Sequence, residues 1–202
     1  VVPEAEGVYF KEDWHRQALA LTLAAGTLGK WNIDISRHAR EGLAPQDYAR
    51  FSYYEKWIAA LADLLVAQGV VTADELAKLE SDGISPFAEK MLTAEAVAPV
   101  LAAGGPADQP SDIAPAFAVG DAVVTRKAGN LAVPGGHTRL PAYAQESKGT
   151  IVRYHGTHIL PDSSAHGHGE GSEPLYAVAF AASELWLHPE HPGDEVVLDL
   201  WQ

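Results

Sequence analysis

The chain contains no cysteine and only one methionine among its 202 residues. Without thiols it can build neither a disulfide framework nor a thiolate metal site of its own, and an absence of disulfides fits the cytoplasm. Basic residues are also scarce. The 14 Lys and Arg against 27 Asp and Glu give a formal net charge of -13, which repels phosphate backbones, and no run of Lys and Arg offsets it locally. Nucleic-acid binding is therefore disfavoured. Long apolar runs are missing too: none approaches the roughly 20 residues a membrane helix needs, and the longest helical candidate is broken by Glu55, Lys56 and Asp63. No signal peptide is visible, and the chain opens at Val1-Val2-Pro3 without a methionine, as expected if upstream residues were processed or lost with a fusion partner. What remains is a chain 47% hydrophobic, enough for the cores of one large domain or two small ones in a soluble globular protein.

The first half has helical periodicity. Trp14, Ala18, Leu21 and Ala25 recur at spacings of three and four over residues 11–25, and Gly26 and Gly29 stop the pattern. Within residues 46–68, Tyr54, Trp57, Ile58, Leu61, Leu64 and Leu65 form an apolar stripe that Gly69 ends. Thr72 and Glu75 have capping-box spacing before a short helix over residues 73–79. From Ala94 to Ala118 the composition shifts to Ala, Pro and Gly, with Gly104-Gly105-Pro106 and Gln109-Pro110-Ser111 as breakers. Beyond it come short β-type segments at 122–126, 150–154, 175–180 and 195–200. These patterns predict an α+β protein: a helical domain over residues 1–100, a linker at 101–116, and a small antiparallel β-barrel or roll, SH3-like, over 117–202.

Four segments could carry chemistry. Trp31 to Glu41 places Arg37 and Arg40 three apart beside His38 and Glu41, with Asp34 or Ser36 available as a helix cap. This is either a solvated helix with a Glu41 ion pair or a site where an arginine presents its planar fork to an anion. Phe51 to Trp57 concentrates aromatics at a helix start, as core packing or as a pocket wall in which a tyrosine hydroxyl is the polar handle. Gly135 to Tyr143 combines a flexible turn with His137 and Arg139: an ordinary loop between strands, or a binding loop held by them. The His155-Gly156-Thr157-His158 and His166-Gly167-His168-Gly169 stretches invite a metal, yet their spacing matches no helical His pair and their glycines imply a mobile loop. No metal ligand is therefore assigned to this chain. Phosphate loops, nucleophile elbows and zincin helices are absent from the sequence, so no self-sufficient catalytic constellation emerges.

Three segments taken together carry a resemblance. Trp31-Asn32-Ile33-Asp34-Ile35-Ser36-Arg37-His38-Ala39-Arg40-Glu41, followed by Ser52-Tyr53-Tyr54-Glu55, resembles the N-terminal helical signature of nitrile hydratase β subunits. Gly136-His137-Thr138-Arg139-Leu140-Pro141-Ala142-Tyr143 resembles the turn that opens their barrel. Gly149, His155-Gly156, Pro161-Asp162, His166-Gly167, Leu175-Tyr176, Glu184-Leu185-Trp186 and Asp199-Leu200-Trp201 follow in the order of their C-terminal domain. The similarity spans nearly the whole chain. It departs from the family's pattern at the ends: the Gly-rich N-terminal arm would precede Val1, and the family continues a few residues past Gln202.

The resemblance implies that this chain completes an active site whose cobalt(III) or iron(III) ion sits in a cysteine-rich claw of a separate α subunit, with two thiolates oxidised to sulfenic and sulfinic forms. There the metal acts as a Lewis acid and nitriles are hydrated to amides. By the family's pattern Arg37 and Arg139 reach the oxidised sulfur oxygens, in charge-assisted hydrogen bonds worth about 1.5 to 3 kcal/mol each, and Arg40 lies on the same motif. Tyr53 would orient substrate or water, with Ile33 and Ser36 on the same wall and Tyr54 as its alternate, because adjacent helical residues point about 100° apart. The implied partner is the α subunit, in an αβ heterodimer or an α2β2 assembly. Two other readings share part of the pattern. One is a β-like chain of a thiocyanate hydrolase, whose β-like portions usually lie on separate polypeptides. The other is a non-catalytic assembly partner or metallochaperone, which would resemble the N-terminal half alone.

Overall fold

A computed structural model of the chain describes residues 9–81, 83–169 and 171–202; the Val1-Val2-Pro3 opening lies outside them. The chain divides into two compact units, Val1–Ala103 and Gly104–Gln202.

The first unit is helical. It contains α1 (Asp13–Gly26), α2 (Ile33–Glu41), α3 (Pro45–Arg50), α4 (Tyr53–Ala67), α5 (Ala73–Lys78), a 3-10 turn at Ala88–Lys90, and α6 (Ala94–Ala103). The long aromatic stripe predicted within residues 46–68 is α4, against which α1 and α2 both pack. Phe51 and Ser52 are extended and separate α3 from α4. The Ser52 N–H donates to Glu55 Oε2 at 2.7 Å, so Glu55 closes the new N-terminus. The box at α5 forms as its spacing predicts, with Thr72 N–H donating to Glu75 Oε2 at 2.7 Å and Glu75 N–H to Thr72 Oγ1 at 3.1 Å. Three expectations shift. In α1 the inward stripe is Trp14, Ala18, Thr22 and Ala25, with Leu21 on the exposed side. At α2 neither Asp34 nor Ser36 is the cap: Asn32 Oδ1 accepts from Ile35 N–H at 2.8 Å, which starts the helix early enough to put Asp34 inside its first turn. The Ala-rich residues 94–103, read as the start of an irregular stretch, are helical through alanine's propensity despite Pro99.

The second unit is a four-stranded antiparallel sheet in the order β1 (Ala122–Val124), β2 (Lys148–Ile159), β3 (Ser172–Ala181) and β4 (Glu195–Trp201). Single turns of helix, α7 (Pro161–Ser164) and α8 (Ala182–Leu185), lie in the β2–β3 and β3–β4 connections. The four strands occupy the four segments whose β-branched and aromatic content predicted them. Their core is one cluster, Ile151, Tyr176, Val178, Phe180 and Leu200, with Val123, Leu140, Leu185 and Leu198 packed on it. The pairing of β2 with β3 shifts register between Ile151 and Arg153 and between Tyr154 and Thr157. Gly156, at φ 92°, takes up the second irregularity, since only glycine adopts that conformation without cost. The His155–His158 segment is thus a bulged strand rather than a mobile loop. His155 Nε2 lies 2.9 Å from Asp199 Oδ1 on β4, and the Trp201 indole N–H donates to His158 O at 3.1 Å. The stretch read as a linker is also tied down from Ala107 onward. Ile159 N–H donates to Ala107 O, Gln109 N–H to Thr157 O, and Ser111 Oγ to Ser172 O at 2.6 Å.

Candidate functional site

In the helical unit the candidate residues lie along α2 and the start of α4. Asp34 is 5% exposed and accepts from Arg37 Nη1 at 3.0 Å. One edge of the Arg37 fork is therefore fixed, while the side chain stays 38% exposed. That bond uses one of a guanidinium's five donors. Arg40 sits one turn on. Its guanidinium carbon is 4.8 Å from the Trp57 ring centroid and its Nη1 donates to Ser36 Oγ at 3.2 Å. Burial pushes the Arg40 guanidinium below its ordinary pKa, and the nearby Tyr53 opposes that shift. Ser36, expected on the substrate wall, thus has its hydroxyl engaged by Arg40.

The two tyrosines have different surroundings. Tyr54 packs inward among Phe10, Trp14, His15 and Trp57, its ring stacked on His15 at 4.7 Å. Tyr53, the first residue of α4, is 64% exposed, with its ring edge-on to Tyr54 at 5.1 Å and tilted against Trp57 at 5.4 Å. Ile33, at the start of α2, is 63% exposed. The unit thus groups an outward tyrosine, an outward isoleucine and a half-tethered arginine on two helices that pack together.

Arg139 is carried by the other unit, in the long β1–β2 connection, and is exposed. The backbone under it is held by polar side chains that are half-buried or buried. The Asn130 Nδ2 amide donates to His137 O at 2.8 Å and to Asp162 O at 2.7 Å, while Asn130 Oδ1 accepts from the Ala132 and Val133 N–H groups. His137 N–H donates to His166 Nε2 at 3.0 Å. Gly136 has no space for a side chain: a Cβ there would lie 2.6 Å from His166 Nε2 and 2.8 Å from Val133 O. Burial raises the pKa of the Asp162 carboxyl, with the Thr138 hydroxyl and the Arg139 backbone N–H opposing that shift. The same loop roofs a cavity of about 370 Å³ over the sheet, lined by Val123, Leu140, Ile151, Tyr176 and Val178 with Arg126, Arg139, Asp162 and Glu173. Burial raises Glu173 as well, with Arg126 opposing. Asn130 was not singled out by its residue pattern. Its one sequence signal is an Asn set three residues ahead of a valine in a Pro- and Gly-rich turn, too common to mark a function.

These features define a class: an α+β chain of two units that turns arginine and tyrosine outward and has no thiolate of its own. The sequence profile of the nitrile hydratase beta subunit, N-terminal domain, matches residues 1–100, and that of the nitrile hydratase beta subunit, C-terminal domain, matches residues 106–202. The chain belongs to the nitrile hydratase β-subunit family. It is 33% identical over 208 residues to the low-molecular weight cobalt-containing nitrile hydratase subunit beta of Rhodococcus rhodochrous, covering 100% of this chain and 91% of that one. Against the cobalt-containing nitrile hydratase subunit beta of Pseudonocardia thermophila it is 31% identical, over 98% of this chain and 86% of the relative. A solved thiocyanate hydrolase chain of Thiobacillus thioparus aligns with 47% of this chain and 74% of its own at 27% identity, but with a TM-score of 0.36 that bears no weight.

Proposed function

We propose that the chain pairs with a nitrile hydratase α subunit, as αβ or α2β2, and completes the surface on which nitriles are hydrated to amides. The observation that carries this reading is a match to β-subunit profiles along both units in a chain with no cysteine. A low-spin cobalt(III) or iron(III) ion calls for soft, strongly donating ligands, and the donor set here does not fit it. We therefore assign the ion to the partner, and what this chain supplies is positioning.

Arg37, anchored by Asp34, directs its remaining N–H donors at an anionic oxygen of the partner, and Arg139 does the same from the second unit. Tyr53 is the hydroxyl that orients substrate or water, favoured over Tyr54 because Tyr54 is engaged in the aromatic cluster. Ile33 and Ser36 belong to the same wall, Ser36 through the Arg40 that it anchors. In this reading the helical residues 1–100 are the partner-binding and substrate-facing domain, residues 101–116 the connection, and 117–202 a small SH3-like barrel that holds the Arg139 loop. Both units joined in one chain favour the nitrile enzyme over a thiocyanate hydrolase. The test is to produce the chain alone and together with a nitrile hydratase α subunit. Stoichiometric cobalt or iron and amide formation are expected in the complex only; tight metal binding with nitrile turnover by the lone chain would overturn the assignment.

A further inference from the structure

The Arg139 loop between β1 and β2 has one 3-10 turn, at Ala142–Ala144, and the segment before it is held through hydrogen bonds at His137. Asn130 Nδ2 bridges two carbonyls, one on the loop at His137 and one on the α7 turn at Asp162. The Thr138 hydroxyl and the Arg139 N–H lie near enough to the Asp162 carboxyl to lower its pKa, against the larger effect of burial. From the other side, Asn130 Oδ1 collects the Ala132 and Val133 N–H groups at 2.8 and 2.9 Å. One side chain therefore uses both donors and both acceptor directions, each on backbone, which is all an amide can do. Such a saturated, half-buried amide fixes three chain segments against one another. Its loss would leave carbonyls and N–H groups unpaired at the base of the residue that emerges two positions after His137.

We propose that Asn130 is a positioning residue for the reaction, clamping the His137–Arg139 segment onto the Asp162 turn so that the Arg139 guanidinium leaves the unit from one fixed point. The inference rests on the reading that Arg139 acts in the assembled enzyme. Asn130 touches no reacting atom; it acts through Arg139.

The test is a double-mutant cycle in the complex with the α subunit, using Asn130→Ala and Arg139→Lys. Misplacing a group by about 1 Å can cost up to a hundred-fold in rate, so Asn130→Ala should lower kcat roughly ten- to a hundred-fold with a smaller change in KM. In the double variant the loss should be no greater than for Arg139→Lys alone, because Asn130 works only through that side chain. A merely structural role would instead multiply the two losses. Asn130→Asp is the second variant, for the case in which the alanine form does not assemble. It keeps the acceptor oxygen for Ala132 and Val133, removes the bridging N–H donors, and should show the same split and the same non-additivity. Multiplied losses, or wild-type kcat in the Asn130 variants while Arg139→Lys is impaired, overturn the proposal and leave the role of Arg139 standing. Wild-type turnover in Arg139→Lys overturns that role, and the positioning with it.

Discussion

Arg37 is held at one edge by a nearly buried carboxylate and open at the other. The arginine end of this pair is more than a third open to water and so partly screened, and a lysine can keep the pairing, so stability alone is a weak reason for arginine in particular. Under the proposed reading, the fork that Asp34 steadies serves recognition. Arg37→Lys keeps the charge and can keep the Asp34 pair, but it loses the planar array of donors. In the complex, turnover should fall by one to two powers of ten, equivalent to about 1.5 to 3 kcal/mol of charge-assisted hydrogen bonding. Thermal stability should change by less than about 0.5 kcal/mol. Wild-type turnover beside an unchanged melting curve would reduce Arg37 to a solvated helix residue. Residue types at this scale were legible from the sequence and their neighbours were not. The Trp31–Glu41 segment marked the arginines, but which of Tyr53 and Tyr54 turns inward depends on α1 laying Trp14 and His15 over α4, a contact between segments some 40 residues apart. Asn130 was invisible for the same reason: its partners at His137 and Asp162 come from a loop and a turn that meet only in the fold.

The secondary elements were more legible because their signals are local. Four strands fell where β-branched and aromatic residues cluster, and the Thr72–Glu75 box forms as its spacing requires. Errors arose where local signals compete. Phe51 and Ser52 break what reads as one helical stretch, and alanine propensity carries α6 through Pro99. Strand partners and bulges were beyond the sequence, and one glycine shows why they matter. Gly149 on β2 faces the core so closely that a Cβ would lie 2.6 Å from Val178 Cγ1, 2.8 Å from Phe180 Cε1 and 3.1 Å from Ala179 O. The two side chains belong to the buried cluster, so neither can swing away into solvent. Gly149→Ala should therefore destabilise the second unit by about 1 to 3 kcal/mol, the usual cost of overpacking a filled core. Alanine is otherwise the better strand residue by propensity, so an unchanged or raised denaturation midpoint would mean that the β2–β3 spacing yields readily.

At the scale of the whole chain, the mixed α+β class was legible from the change of residue pattern, whereas the surface meant for a partner was not, since its complement lies on another polypeptide. The described residues leave many large apolar side chains in water. Tyr53, Leu79, Ile84 and Met91 are 64%, 86%, 91% and 69% exposed, and among the described residues no helix is long and apolar enough to cross a membrane. Among the described residues of the helical unit the buried hydrophobic ones are few, Ala18, Ala60, Leu61 and Leu64, so that core supplies limited stability. A net charge of -13 opposes self-association at long range but is screened within about 8 Å at physiological salt, leaving apolar contact to act at short range. The free chain should accordingly bind a hydrophobic dye and self-associate as salt is raised. Adding the α subunit should suppress both effects, because a partner that binds only the folded chain stabilises it by mass action. At a hundred times the dissociation constant that amounts to about 2.7 kcal/mol, or roughly 5 to 11 °C in melting temperature for a protein of this size. Scattering, dye binding and thermal melts of the chain with and without the α subunit measure all three. A free chain that stays monomeric and dye-silent, with a melting temperature indifferent to the α subunit, would mean that its exposed apolar residues are ordinary surface and that no such partner is bound.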